Sequence, residues 1–430
     1  MQYVEPTGTL LGSIATFREV FCEPGSKDRQ LVPDQAHELR RRINTVCQRT
    51  LRRQAQEFLE RPFTKRQAML FEYSMSAEEK SLYDDVTEYL MEPNLCAFSG
   101  SSRRLLLIGF HRLMASSQRA FASSLRKVAD RLKGMLDDSA AQDDTAEQLA
   151  DDLENEDLPD VDAEEDAVVH EPGRIRKELA RVEGFAQRAK FLQNDGKAQR
   201  LLDAVRLVLE RGETGQGSGK VVIFTESLQT QQYISEVLLQ GKLGITSQDV
   251  TIFRGSNDSA RAGEAYAVWR EEVEKHLPPG GRPSPQVGVR LALVHEFRSK
   301  SRVFISTEAG AKGLNLQFCD TIINYDLPWN PQKIEQRIGR CHRYSQDRDV
   351  TVVNFLAKDN EAQKLMFQIL SEKLDLFGQV LDASDVVLHQ PATDAPETLS
   401  TALGTDFESQ LRRIYERARS PEDLSNELRQ

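Results

Sequence analysis

The sequence predicts an α/β fold: a parallel sheet lobe with helices on both faces, preceded by a mostly helical region and followed by C-terminal helices. Three observations carry this. Val303–Ser306, Thr321–Asn324 and Val350–Phe355 are apolar runs rich in Val and Ile, too short for globular helices, as expected of strands buried on both faces. A turn holding Gly310 and Gly313 separates the first two. Between the second and third, Asn330-Pro331 opens a helical stretch reaching Arg340, Asn being suited to cap a helix and Pro to occupy its first position. Sheets of this kind gather phosphate ligands beyond the strand ends.

Earlier in the chain, residues 1–133 read as mainly helical. Gln35–Glu60 is dense in Arg, Gln, Leu and Glu, and Ser76-Ala77-Glu78-Glu79 is a capping box opening a helix through Leu90. Pro62–Tyr73 reads as a strand. Leu105–Leu132 is apolar at helical spacing with arginines on the other face. Residues 134–173 hold about sixteen Asp and Glu and no Lys or Arg, so they are expected to be a disordered, self-repelling linker. That run could mimic DNA or simply keep an inserted loop soluble. Residues 174–357 are the sheet lobe: helices over Arg174–Glu183 and Asp195–Glu210, a strand from Lys220 to Thr225, a helix over Leu228–Gln240, a strand at Val250–Phe253, and helices over Arg261–His276 and Leu291–Arg298. Pro278–Pro285 reads as a loop. Residues 358–430 are expected to form amphipathic helices, Glu361–Phe377 and Phe407–Arg419, around a polar segment.

Length gives room for two or three domains. No apolar run approaches a bilayer span and no export signal opens the chain, so a cytoplasmic location is expected. Five scattered cysteines without a C-x-x-C pair argue against a zinc site or a disulfide framework. The net charge of -11 is misleading, because the acidic run accounts for more than all of it and the remainder is basic by about 5.

Gln336-Arg337-Ile338-Gly339-Arg340-Cys341-His342-Arg343 has the form Q-x-x-G-R-x-x-R. Two arginines three apart near a helix end can turn to one side, and the planar guanidinium fork suits phosphate oxygens. Alone, the motif could equally be an exposed basic helix end. Upstream, Ser306-Thr307-Glu308-Ala309-Gly310-Ala311-Lys312-Gly313-Leu314-Asn315-Leu316, an apolar run and Trp329-Asn330-Pro331 follow in order. Together these resemble motifs V and VI of superfamily 2 helicases, and the Gly-Leu-Asn-Leu and Trp-Asn-Pro wording is similar to the Swi/Snf-type double-stranded DNA translocases. Lys220–Ser227 resembles motif IV, which opens the second RecA-like lobe. Thr50-Leu51-Arg52-Arg53 and the helix holding Leu82-Tyr83 resemble the segment joining the two lobes. The Leu105–Leu132 stretch and Ser371–Gly378 resemble the helical insertion and brace of bacterial RapA-like remodellers, some of which serve phage defence. A helix hairpin serving only as core fits Leu105–Leu132 equally well.

The resemblance implies ATP with Mg2+ as cofactor and double-stranded DNA as partner. It makes Arg340 and Arg343 fingers on the γ-phosphate, with Gln336 orienting water or phosphate, and puts Gly310 and Gly313 at the nucleotide cleft. Thr225, Ser227, Arg254, Gly255, Ser306 and Thr307 would contact DNA phosphates, although helix capping explains Thr225 and Ser227 as readily. Any phage-defence or RNA polymerase partner is left undetermined. The same resemblance requires a P-loop and an Asp-Glu motif holding the metal, and the sequence has neither. In the nearest decoy, Gly217-Ser218-Gly219-Lys220, Thr214 stands where the first Gly belongs and Val221 follows the Lys. The chain is therefore expected to be the C-terminal portion of an ATPase whose P-loop lobe lies upstream or on another polypeptide. The competing expectation is a non-catalytic module that binds nucleic acid or a partner; a single-stranded RNA helicase is a weaker rival. Purified alone, the polypeptide should show no DNA-stimulated ATP hydrolysis in a phosphate-release assay.

Overall fold

The computed structural model describes residues 63–92, 94–98, 102–136, 171–192, 195–278, 282–311, 313–328, 331–344 and 346–359, with 11, 14–21 and the single positions 35, 38, 39, 41, 42 and 367. Its centre is one sheet of six parallel strands in the order β1-β6-β5-β2-β4-β3. These are β1 (Arg66–Tyr73), β2 (Val221–Thr225), β3 (Val250–Phe253), β4 (Val303–Thr307), β5 (Thr321–Asn324) and β6 (Val350–Ala357). The three apolar runs of the arginine-motif region are thus β4, β5 and β6. The fold is RecA-like.

Successive side chains on a strand face opposite ways, and both faces are covered. Val222, Phe224, Phe304, Ile322 and Val352 enter one core with α8 (Ala260–Glu272), α9 (Pro285–Ser299) and α11 (Pro331–Cys341). Val221, Ile223, Ile305, Ile323 and Val353 enter the other with α6 (Gly196–Glu213) and α7 (Leu228–Gln240). Burial on both faces is why these strands carry Val, Ile and Phe without polar alternation. The first core continues into a helical layer of α2 (Ala77–Met91), α3 (Ser102–Ser116), α4 (Gln118–Leu136) and α5 (Pro172–Phe191), through Leu82, Phe110, Phe121 and Phe185. An eight-residue helix, α1 (Ile14–Phe21), precedes them.

Local chemistry sets the element ends. Ser76 and Glu79 form the reciprocal capping box of α2, with Glu79 N donating to Ser76 Oγ at 3.1 Å. Asp195 caps α6 by accepting from Ala198 N at 2.9 Å. The chain breaks between α3 and α4 at Ser117, whose hydroxyl accepts from Ala120 N. Two readings shift. The helix expected from Leu291 begins at Pro285, because Ser284 sits at the cap and Pro fits the first turn without needing an N–H partner. The Pro62–Tyr73 strand belongs to the sheet of the lobe, since β1 pairs with β6 from Arg66↔Val350 to Tyr73↔Ala357. Most of the acidic run, most of Gln35–Glu60, Thr50–Arg53, Trp329-Asn330 and, apart from Phe367, the helices expected beyond 360 lie outside the described residues. Gly134–Leu136 ends α4, and Pro172-Gly173 opens α5.

Gly196, the first residue of α6, lies where a Cβ would come within 2.7 Å of the Ser74 carbonyl oxygen just beyond β1. Gly196→Ala should lower stability by about 1–3 kcal/mol in urea unfolding, although alanine is the better helix former by about 1 kcal/mol.

Candidate functional site

α11 carries arginines at three-residue spacing with different fates. Arg337 is fully buried: Nε and Nη2 reach Glu308 at 2.8 and 2.6 Å, and Nη1 donates to Asn324 Oδ1 at 3.2 Å and to the Asp326 carbonyl at 2.8 Å. Its guanidinium also lies over the Phe224 ring, 5.4 Å from the centroid. This side chain holds α11 to β5 and to the short helix α10 (Glu308–Ala311) that follows β4.

Arg340 and Arg343 are half-buried, and Gln336 is exposed. Arg343 Nε donates to Gly339 O at 2.9 Å and Nη2 to Leu314 O at 3.1 Å. The Arg340 guanidinium has no hydrogen bond or ion pair among the described residues. Burial, and then the charge of Arg343, hold the Arg340 guanidinium below its ordinary range; Glu308 opposes them but is already paired with Arg337. Among the described residues the result is two neighbouring cations, with the one carboxylate that acts on Arg340 already committed, an arrangement an anion would relieve. The backbone frames the pair: Leu316 N donates to Arg340 O at 2.9 Å. Gln346 Nε2 donates to the carbonyls of Gln317, Cys319 and Cys341 at 2.7, 3.0 and 3.3 Å, tying the 317–319 loop to the end of α11.

The expected DNA contacts divide. Thr225, Ser227, Ser306 and Thr307 are all fully buried, so their hydroxyls cannot serve as phosphate donors in this arrangement. Thr225 Oγ1 donates to Asp326 Oδ2 at 2.6 Å, Ser227 caps α7 at Thr230 N, and Ser306 Oγ donates to Thr307 O at 3.0 Å. Thr307 Oγ1 is buried without a partner among the described residues. At Thr225 and Ser227 the cause is the helical layer. Ser116, at the end of α3, donates to Asp326 Oδ2 at 2.9 Å, and Ser117 meets Thr230 Oγ1 at 2.8 Å. Arg112 and Glu226 form a buried ion pair at 2.7 Å. The α3–α4 junction therefore covers the ends of β2 and β5. Arg254 is half-buried, with Nε on Gln231 Oε1 at 2.6 Å, and Gly255 is exposed.

At the glycines expected to admit a nucleotide, a Cβ on Gly310 would meet Phe253 Cδ1 at 2.9 Å and the Arg254 carbonyl carbon at 3.0 Å. The close approach is thus to the end of β3, within the same lobe. Gly313 has φ +83°, in the left-handed region that favours glycine. Lys220, of the P-loop decoy, donates Nζ to the carbonyls of Phe297 and Ser301 at 2.8 and 2.6 Å, and is thereby occupied at the opposite end of β2. Among the described residues no cluster of three or more His, Cys, Asp or Glu could hold a metal ion, and no helix is long and apolar enough to cross a membrane. Cys96, Cys319 and Cys341 are free and buried.

Asp326 is the residue that the sequence reading missed. Its carboxylate takes Thr225 Oγ1, Glu226 N at 3.1 Å, Ser116 Oγ and Lys197 Nζ at 3.1 Å. Burial pushes its pKa up, but Lys197 and the hydrogen bonds more than offset this, so it sits below the ordinary carboxylate range. A lone Asp following the apolar run Thr321–Asn324 was the available signal. Arg337 lay inside the quoted motif, but spacing alone does not say which arginine of a helix faces inward.

Residues 286–345 match the helicase conserved C-terminal domain family. The chain is 30% identical over 313 residues to an uncharacterized ATP-dependent helicase, YqhH, of Bacillus subtilis, which covers 73% of this chain. Residues 286–345 therefore carry a helicase C-terminal domain, and the wider chain is similar to ATP-dependent helicases. The human chromatin-remodeling ATPase INO80 is 29% identical over 193 residues, 44% of this chain. The chain spans 41% of the length of YqhH and 12% of that of INO80. Among solved structures, the C-terminal part of the Fun30 ATPase domain aligns over 85% of this chain and 99% of its own, at 18% identity and a TM-score of 0.37.

The lowered Asp326 carboxyl stabilises the fold above about pH 4, the ordinary Asp value, and that contribution is lost as pH falls through its lowered folded value. Asp326→Asn should cost about 3–5 kcal/mol at neutral pH by leaving Lys197 buried without its counter-charge. Urea unfolding between pH 2 and 7 should show less acid dependence in the variant than in the unmodified chain.

Proposed function

We propose that this lobe supplies the arginine half of an ATP site in a double-stranded DNA translocase, the P-loop half coming from a separate lobe. The observation that carries the reading is Arg340, a half-buried cation beside Arg343 whose nearest influential carboxylate is already used by Arg337. A nucleotide docked here would supply the negative charge this pair lacks, and Mg2+ would be held by the other lobe. Arg340 meets the terminal phosphate, Arg343 joins it from a position fixed by the Gly339 and Leu314 carbonyls, and Gln336 reaches the same space from the exposed side of α11. Stabilising charge on the transferring phosphoryl group is the whole contribution asked of them.

For DNA, the surface at Arg254 and Gly255, beyond β3, is the part of the expected track that remains accessible. The likeness to ATP-dependent helicases supports this reading, and the basic remainder of the chain is consistent with it. The alternative reading, a nucleic-acid or partner-binding module without turnover, draws on the lack of a P-loop in these residues.

Combined with a P-loop-bearing first lobe, the chain should hydrolyse ATP in a DNA-stimulated manner. Arg340→Ala or Arg343→Ala should lower kcat by on the order of a thousandfold while duplex binding, followed by fluorescence anisotropy, stays intact. Unchanged turnover in Arg340→Ala would overturn the finger assignment, and absence of any turnover with a competent partner would favour the binding module.

A further inference from the structure

The first residue of β1 reaches the arginine helix. Arg66 has 3% of its side chain exposed, and its guanidinium contacts two side chains of the arginine-helix region. Nε donates to His342 Nδ1 at 2.9 Å, and Nη1 donates to both Glu335 carboxylate oxygens at 3.0 and 2.9 Å. Glu335 precedes Gln336, and His342 lies between Arg340 and Arg343, so a single side chain grips α11 and its immediate continuation at two points about two turns apart. His342 is fully buried. Because its Nδ1 accepts from Arg66, its Nε2 carries the proton and donates to Thr64 O at 2.6 Å. Phe63 closes the arrangement, with its ring 6.4 Å from that of His342 and 5.9 Å from that of Tyr344.

We infer that Arg66 is a positioning residue for phosphate recognition: by fixing Glu335 and His342 it sets where α11 points Arg340 and Arg343. This rests on the phosphate reading proposed above. The β1 strand does not need Arg66 for its own placement. The ladder to β6 runs the length of the strand, and Lys65 adds its backbone N to Asp349 Oδ1 at 2.8 Å and its carbonyl to Val350 N at 2.9 Å. The guanidinium instead reaches across to α11. Lysine would have to bring its single nitrogen within reach of both partners, whereas the guanidinium meets them with two nitrogens set apart, Nε for His342 and Nη1 for Glu335. Glu335 also neutralises Arg66, so the buried cation adds no net repulsion to the pair it places.

The test is an inorganic pyrophosphate titration of the full 430-residue chain at low ionic strength, followed by the arginine side-chain Nε–H resonances of Arg340 and Arg343. Arg66→Ala should need roughly fivefold more pyrophosphate for half-saturation, the loss expected when a positioning contact worth about one hydrogen bond is removed. Arg66→Lys should fall between it and the unmodified chain. Ser259→Ala, which removes the hydroxyl that caps α8 by accepting from Ala262 N and so destabilises the chain without touching α11, should titrate as the unmodified chain does. If every Arg66 variant that folds superimposes on the unmodified curve, or if Ser259→Ala weakens binding as much as they do, Arg66 has no positioning role and the phosphate reading stands. If the unmodified chain shows no shift of Arg340, the phosphate reading falls and this inference with it.

Discussion

The buried carboxylate of Asp326 is the constraint on which the arrangement depends. An ionised group so deeply enclosed is tolerated only when its lone pairs are taken up, and here four donors from four segments do so: the end of β2, the loop after it, the end of α3 and the start of α6. Its backbone carbonyl accepts from Arg337, so the residue that anchors the helical layer to the sheet also receives the inward arginine of α11. Sheet, helical layer and arginine helix therefore share one electrostatic centre. A network this thoroughly satisfied fixes geometry more than it adds net stability.

Around that centre the charges are sorted by depth. Arg337, wholly enclosed, has a carboxylate, an amide and a carbonyl; Arg343 has two carbonyls; Arg340 has only the influence of a carboxylate spent elsewhere. The contrast between satisfied and unsatisfied arginines arises within one helix and its end, at a three-residue step. It follows from helical periodicity, which rotates successive arginines of this spacing steadily around the axis.

Strand placement was legible because it rests on short-range facts: brief runs of Val, Ile and Phe, such as Val303–Ile305 and Val221–Phe224, have little choice when both faces of a sheet are covered. Capping was equally local, which is why Ser76 and Glu79 could be paired from their spacing. The destinations of hydroxyls were not legible. Thr225 and Ser306 sit at strand ends, where either a ligand or a packing element can claim them. Thr225 is claimed by Asp326, 101 residues further along, and Ser116 closes over the same carboxylate from the helical layer. Nothing in the wording around Arg112 or Ser116 announces that contact. The gripping of α11 by Arg66 was hidden for the same reason, since a strand read as part of a helical region gave no cause to look for it beside the motif.

That strand has one more effect. β1 is parallel to β6 and pairs with residues 350–357, yet it is made long before them, so on the ribosome its partner is still unsynthesised. At about 5–20 residues per second, the edge of β1 and the Arg66 side chain wait tens of seconds for their neighbours. Completion of the sheet and capture of the arginine helix then happen together, as the last strand arrives, which makes assembly of the lobe a late and long-range event in its biogenesis.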